Sequence, residues 1–156
     1  YLTVSLYPRK DKKILVSNYT NGDFFEFKNF EEIKKLKKKN NLVLNILKNK
    51  NLDYGFKLEI LSDFKPKTGL GGSSILSIGL IKVLNLFENN HEEEKFELIN
   101  EAYKSERLDS KIKGGWQDYL SSTFGGVSWI DMYKSDFYVH QLKLEKKTLL
   151  ELENTF

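Results

Sequence analysis

Lys65-Pro-Lys-Thr-Gly-Leu-Gly-Gly-Ser-Ser-Ile75 is the stretch on which the reading of this 156-residue chain turns. Its glycines at 69, 71 and 72 let backbone amides come close to an anion, and the hydroxyls of Ser73 and Ser74 follow at once. Upstream, residues 54–61 alternate as Phe56, Leu58 and Ile60, the pattern of a half-buried strand. Downstream, residues 73–87 are apolar nearly all round, through Ile75, Leu76, Ile78, Leu80, Ile81 and Leu84. That pattern predicts a helix sunk in the core rather than laid on its surface. The glycines therefore stand between a strand and the amino end of a buried helix, where the helix dipole adds positive charge. A nucleotide triphosphate needs such a place.

Residue type alone leaves the loop open to other readings. A P-loop requires a lysine after its last glycine, and none stands here. A dinucleotide fingerprint would want Gly at position 74, where Ser74 stands, and a strand soon after the helix. A purely structural glycine turn, capping the helix with Ser73 or Ser74, competes on equal terms.

Working outward, residues 1–7, 13–17 and 23–27 read as antiparallel strands, the last two joined through Asn21-Gly22, a strong hairpin signal. Residues 29–50 turn helical. A second helix is expected over 92–108, its first turn carrying Glu92, Glu93 and Glu94. A short helix at 116–124, a hairpin of 127–132 with 137–144, and a terminal helix at 146–156 complete the chain. No linker divides it, so residues 1–156 are expected to form a single α+β domain.

Composition removes whole classes of chemistry. The chain has no cysteine and only two histidines, His91 and His140, which excludes thiolate zinc, iron–sulfur and disulfide frameworks. Any metal must be held by oxygen, as magnesium prefers. Basic residues number 25 and acidic 22, too even a balance to name a partner. Lysines 34, 35, 37, 38 and 39 cluster beside Glu31 and Glu32, which reads as a solvated helix face or, alternatively, as a patch for nucleic acid. Only two arginines, Arg9 and Arg107, weaken the second reading. No apolar run nears the roughly 20 residues that span a bilayer, and no signal peptide opens the chain, so a cytoplasmic protein without membrane or nucleic-acid partners is expected.

Thr68-Gly-Leu-Gly-Gly-Ser-Ser74 resembles the second motif of the GHMP kinases, the galactokinase, homoserine, mevalonate and phosphomevalonate kinase family. Gly72 stands where a serine is usual, and Pro66 sits one place nearer Gly69 than in many members. A second constellation strengthens the match: Ala102-Tyr-Lys-Ser-Glu-Arg-Leu108, then Lys113-Gly-Gly-Trp-Gln-Asp118, then Thr123-Phe-Gly-Gly-Val-Ser-Trp-Ile-Asp131. Glu106 and Asp118 stand twelve apart, as the family's metal-binding glutamate and its acceptor-facing aspartate do. The Gly-x-Gln-Asp string is similar to the subgroups of D-glycero-D-manno-heptose 7-phosphate kinases and bacterial fucokinases.

The resemblance implies the ribosomal protein S5 domain 2-like fold of a GHMP amino-terminal domain, incomplete at its N-terminal end and with the carboxyl-terminal GHMP domain absent. It implies an ATP- and Mg2+-dependent phosphotransferase acting on a hydroxyl of a sugar or sugar phosphate, this fragment alone being inactive. It assigns Lys67, Thr68, Gly69, Leu70, Gly71, Gly72, Ser73 and Ser74 to the nucleotide, Ser73 and Glu106 to the metal, and Asp118 to catalysis. Gly114, Gly115, Trp116 and Gln117 are the candidates for contact with the sugar, with Trp116 equally readable as core. A non-catalytic nucleotide-binding module and an RNA-binding module of the same fold are the alternatives.

Overall fold

A computed structural model of the chain describes residues 1–37, 41–64, 68–89, 94–108, 114–133 and 136–155. Its strands β1 (Leu2–Arg9), β2 (Ile14–Asn18), β3 (Asp23–Phe27) and β4 (Gly55–Ser62) form one sheet in the order β1-β4-β2-β3. The hairpin expected at Asn21-Gly22 is present: β2 and β3 pair antiparallel, and Gly22 takes a φ of 72° in the turn. The other early connection differs from a simple meander. β4 enters between β1 and β2, antiparallel to the first and parallel to the second.

Alternation explains why β4 takes the centre. Phe56, Leu58 and Ile60 are at most 1% exposed, and burying each such side chain stabilises the fold by about 1.5–3 kcal/mol. The opposite face carries Lys57 and Glu59, paired at 2.6 Å, with Tyr19 donating to Glu59 at 3.0 Å. Gly55 opens the strand because nothing larger fits: a Cβ there would lie 2.0 Å from the Asp11 carbonyl oxygen.

The helical stretch expected over 29–50 is two helices. α1 (Phe30–Lys34) starts at Asn29, whose side chain accepts from the Glu32 amide, while the Glu32 carboxylate accepts from the Lys28 amide at 2.9 Å. α2 (Leu42–Asn49) starts at Asn41, which accepts from the Leu44 amide. The second asparagine cap begins a new helix axis, which is why one helical pattern yields two elements. Lys38 and Lys39 of the lysine cluster lie outside the described residues, and Lys34 is tied to Asn51 at 3.2 Å beside the Phe30 ring.

α3 (Gly72–Asn89) is the buried helix the sequence predicts, with Ile78, Leu80, Ile81 and Leu84 in the core. It lies against β1 closely enough that a Cβ on Gly79 would approach Leu2 and Val4 to 3.2 and 3.3 Å. α4 (Lys95–Tyr103) follows, with Glu94 at its N-cap position making no side-chain capping bond; Glu92 and Glu93 lie outside the described residues. Its last turn widens into a π-helical turn, Lys104–Leu108. Then come α5 (Gln117–Phe124), the antiparallel hairpin β5 (Ser128–Tyr133) and β6 (Asp136–Gln141), and α6 (Lys146–Thr155). β6 ends three residues short of the strand expected to reach Leu144. No helix among the described residues is long and apolar enough to cross a membrane.

Candidate functional site

The glycine run crosses from β4 to α3 as expected. Gly69 and Gly71 have φ of 78° and 66°, a region other residues enter only at a cost of about 1–2 kcal/mol. The run then becomes the first turn of an 18-residue helix, and Gly72 leaves room for the Phe64 ring, which a Cβ would meet at 2.8 Å. Thr68, Gly69, Gly71, Gly72 and Ser73 face a cleft of about 540 Å³. Leu70 projects away, 67% exposed. Ser74 turns inward: it is fully buried and its hydroxyl has no hydrogen-bond partner. Lys67 lies outside the described residues.

Behind the loop sits a buried carboxylate. Glu106 is 3% exposed, with one oxygen accepting from the Ser73 hydroxyl at 2.7 Å and the other from the Ser77 hydroxyl at 3.0 Å. The π-helical turn buries Ser105 and Glu106 together, pointing the carboxylate at the start of α3 rather than along the surface of α4. Arg107 approaches the same carboxylate at 3.4 Å and donates to the Tyr119 hydroxyl at 3.0 Å. Burial first, and the neighbouring Glu106 second, push the Tyr119 hydroxyl well above the ordinary phenol range, so it stays neutral.

Asp118 comes from the first turn of α5, where a carboxylate suits the helix dipole. It is half-buried and packs on the loop itself: a Cβ on Gly71 would lie 3.0 Å from both Cβ and Cγ of Asp118. Asp118 therefore faces the cleft from one side while Ser73 and the loop line its floor.

The far wall is one the sequence reading missed. Asn18, Thr20, Asp23 and Asn41 line it, with Leu42 and Val43 beside them. Asn18 is 3% exposed and accepts from the Thr20 and Asn21 amides, shaping the β2–β3 turn, and Asn41 donates to Asp23 at 3.1 Å. In sequence these look like ordinary turn and cap residues; only the pairing of β2 with β4 carries them to the glycine loop.

The four residues considered for sugar contact do not line this cleft. Gly114, Gly115 and Gln117 are exposed, and Trp116 stacks on Tyr103 at 3.6 Å between ring centres and packs against Phe137 at 4.9 Å. Packing accounts for Trp116. His140 sits on the exposed β5–β6 face, 3.5 Å from Asp131, and His91 lies outside the described residues.

A magnesium ion fits the donors at the loop. They are hard oxygens, a hydroxyl on Ser73 and a buried carboxylate on Glu106, already in contact with each other. Among the described residues no cluster of three or more histidine or acidic side chains gathers. The set thus suits a cation that takes one carboxylate and fills its remaining positions with phosphate and water, as magnesium does, rather than one caged by protein alone.

Comparison with known proteins points to one family. Residues 34–126 match the model for the GHMP kinases N terminal domain. Over 98% of its length the chain is 31% identical to a D-glycero-alpha-D-manno-heptose 7-phosphate kinase of Campylobacter jejuni, spanning 46% of that protein. Its fold superposes on a D-glycero-D-manno-heptose 1-phosphate kinase from Bacteroides thetaiotaomicron with a TM-score of 0.85 at 20% identity, over 97% of this chain and 51% of that one. A Lactococcus lactis galactokinase crystallised with galactose superposes with a TM-score of 0.70 at 25% identity, over 92% of this chain and 40% of that one. The chain thus spans about half the length of the relatives it matches. The glycine loop at the start of a buried helix, the acidic residues gathered behind and beside it, and the matched residues 34–126 together make this chain a member of the GHMP kinase family, in its amino-terminal domain.

Proposed function

We propose that this chain supplies the phosphate-binding and proton-accepting side of a kinase that moves the γ-phosphoryl group of ATP to a hydroxyl of a sugar phosphate, of the heptose 7-phosphate class. The observation that carries the reading is the Ser73–Glu106 contact of 2.7 Å, formed behind the same loop on which Asp118 packs. Family membership and the heptose 7-phosphate kinase relative support the substrate class; a fucose-like sugar is the neighbouring choice.

In this reading the backbone amides of residues 69–74 receive the phosphates, with Thr68 beside them; Lys67, which precedes Thr68 in sequence, is assigned to the nucleotide by the family resemblance alone. The amino end of α3 adds its partial positive charge. Ser74 serves through its amide alone, because its hydroxyl is buried. Ser73 and Glu106 would hold magnesium, which supplies positive charge against the phosphate oxygens. Asp118 accepts the proton of the attacking hydroxyl while that oxygen bonds to the γ-phosphorus and the bond to the leaving diphosphate oxygen breaks. Because the transition state is loose, Asp118 acts mainly by holding the hydroxyl in line and only late as a base. Asn18, Thr20, Asp23 and Asn41 offer the cleft's opposite wall hydrogen-bond partners for a ligand rich in hydroxyl or amino groups.

The test is ADP release, with magnesium, ATP and a panel of heptose 7-phosphates and free sugars, by the whole enzyme in which this amino-terminal domain stands, since the chain by itself is expected to be inactive. Turnover confined to a sugar or sugar phosphate bears out the reading. Calorimetric binding of magnesium–ATP with no turnover on any acceptor replaces it with a non-catalytic nucleotide-binding module.

A further inference from the structure

Arg107 has no part in the chemistry described above, yet its guanidinium sits in a made-to-measure seat. Its Nε donates to the Tyr119 hydroxyl at 3.0 Å, and its Cζ lies 5.8 Å from the centre of that ring. Gly114 forms the other side: a Cβ there would stand 2.6 Å from Cζ and 2.8 Å from Nε. Gly114 is not among the glycines with positive φ, so its backbone suits any residue, and among the described residues the guanidinium is what a side chain there would meet first. Tyr103 holds this seat in place, its hydroxyl toward the Gly114 carbonyl at 3.4 Å and its ring stacked on Trp116. Glu106 borders the seat without holding the guanidinium at hydrogen-bond distance. It meets Arg107 only at 3.4 Å, as a nearby charge, the two side chains being 5% and 15% exposed.

We infer that Arg107 is a counter-charge built into the chain for the buried Glu106 carboxylate, seated independently of it by Gly114 and Tyr119, which keeps a bare divalent cation from settling on Glu106. The inference rests on the reading of Ser73 and Glu106 as the metal side of the site. A carboxylate this deeply buried needs a partner charge whenever the site is empty, and Arg107 provides it. Because the guanidinium is held elsewhere, it stays when Glu106 turns to another partner. A lone cation approaching Glu106 then meets a fixed positive charge a few ångströms away, in surroundings that screen it poorly. A cation carried by the anionic phosphates of a nucleotide brings its own compensation. Metal and nucleotide therefore enter together, and neither Glu106 nor Ser73 keeps the metal afterwards.

The experiment uses Mn2+ alone as probe, titrated calorimetrically into the nucleotide-free full chain, with thermal melting beside it. The unmodified chain should bind Mn2+ weakly, and Arg107→Met should bind it at least about tenfold more tightly. Without cation, Arg107→Met should melt at least about 5 °C lower, and the double variant Arg107→Met with Glu106→Gln should recover most of that loss, because the orphaned charge is gone. Unchanged or weaker Mn2+ binding in Arg107→Met overturns the inference. So does a double variant no more stable than the single one, and this comparison holds even if Arg107→Met alone fails to fold. If the double variant binds Mn2+ as tightly as Arg107→Met, Glu106 is not a ligand, and the reading of the metal side fails instead.

Discussion

Gly69 and Gly71 form a matched pair on which the packing of Asp118 against the loop can be tested. Both have positive φ, 78° and 66°, so alanine at either should cost about 1–2 kcal/mol in backbone strain. Their surroundings differ. A Cβ on Gly69 meets nothing within 4 Å, whereas a Cβ on Gly71 lies 3.0 Å from two carbons of Asp118. Ordinary carbon contacts sit at about 3.5–4.0 Å, so in Gly71→Ala the Asp118 side chain must withdraw by roughly 0.5–1 Å. A shift of that size at a positioning group lowers turnover by up to about 10²-fold. Thermal melts should show the two variants destabilised alike, by a few degrees. Steady-state kinetics of the whole enzyme at saturating magnesium–ATP should then separate them, with kcat falling at least about tenfold further in Gly71→Ala than in Gly69→Ala. Calorimetric nucleotide affinity, measured on both, removes any share due to the phosphate loop itself. Equal kcat in the two variants would refute the argument that Asp118 acts from its seat on Gly71.

Glu106→Gln keeps the size but removes the charge and one of the two oxygens that accept from Ser73 and Ser77, so the magnesium concentration for half-maximal activity of the whole enzyme should rise at least about tenfold; an unaltered titration curve would return Glu106 to a structural role. Asp118→Asn cannot accept a proton, and kcat should drop at least about a hundredfold with ATP affinity nearly unchanged, as rapid kinetics and calorimetry would report. Gly55→Ala forces a Cβ to within 2.0 Å of the Asp11 carbonyl, where only backbone can yield, and should cost more than about 2 kcal/mol in urea unfolding with the cleft residues untouched.

The sheet and the loop were legible to different depths, for physical reasons. Alternation at Phe56, Leu58 and Ile60 tells which face is buried but not which strand lies alongside, so the placement of β4 between β1 and β2 could not be read locally. Asn21-Gly22 was readable because the turn makes its own demand on φ, which Gly22 meets. The expected helix over 92–108 hides its π-helical turn, since widening by one residue leaves no mark in the apolar spacing, yet that turn aims Glu106. Gly114 and Trp116 are expected near the sugar because they stand in the Gly-Gly-Trp-Gln-Asp string that resembles the family's. That Gly114 also packs on the Arg107 side chain and Trp116 on the Tyr103 ring needs the third dimension to see. Ser73 and Ser74 are alike as letters, but the helical step between them sends one hydroxyl to the cleft and Glu106, and the other into the core.

The strand order also sets a timetable for the growing chain. β2 and β3 pair across a four-residue turn and can close within microseconds of emerging. β1 has its partner in β4, with Arg9 opposite Gly55 and Leu2 opposite Ser62. At ribosomal speeds of about 5–20 residues per second, β1 waits roughly 2–12 s before that partner exists. Through that interval residues 2–8, which carry no charged side chain, leave the edge that will meet β4 open to a neighbouring nascent chain. Protection during synthesis is therefore needed at the β4-facing edge of β1, well away from the glycine loop, and it ends when β4 arrives.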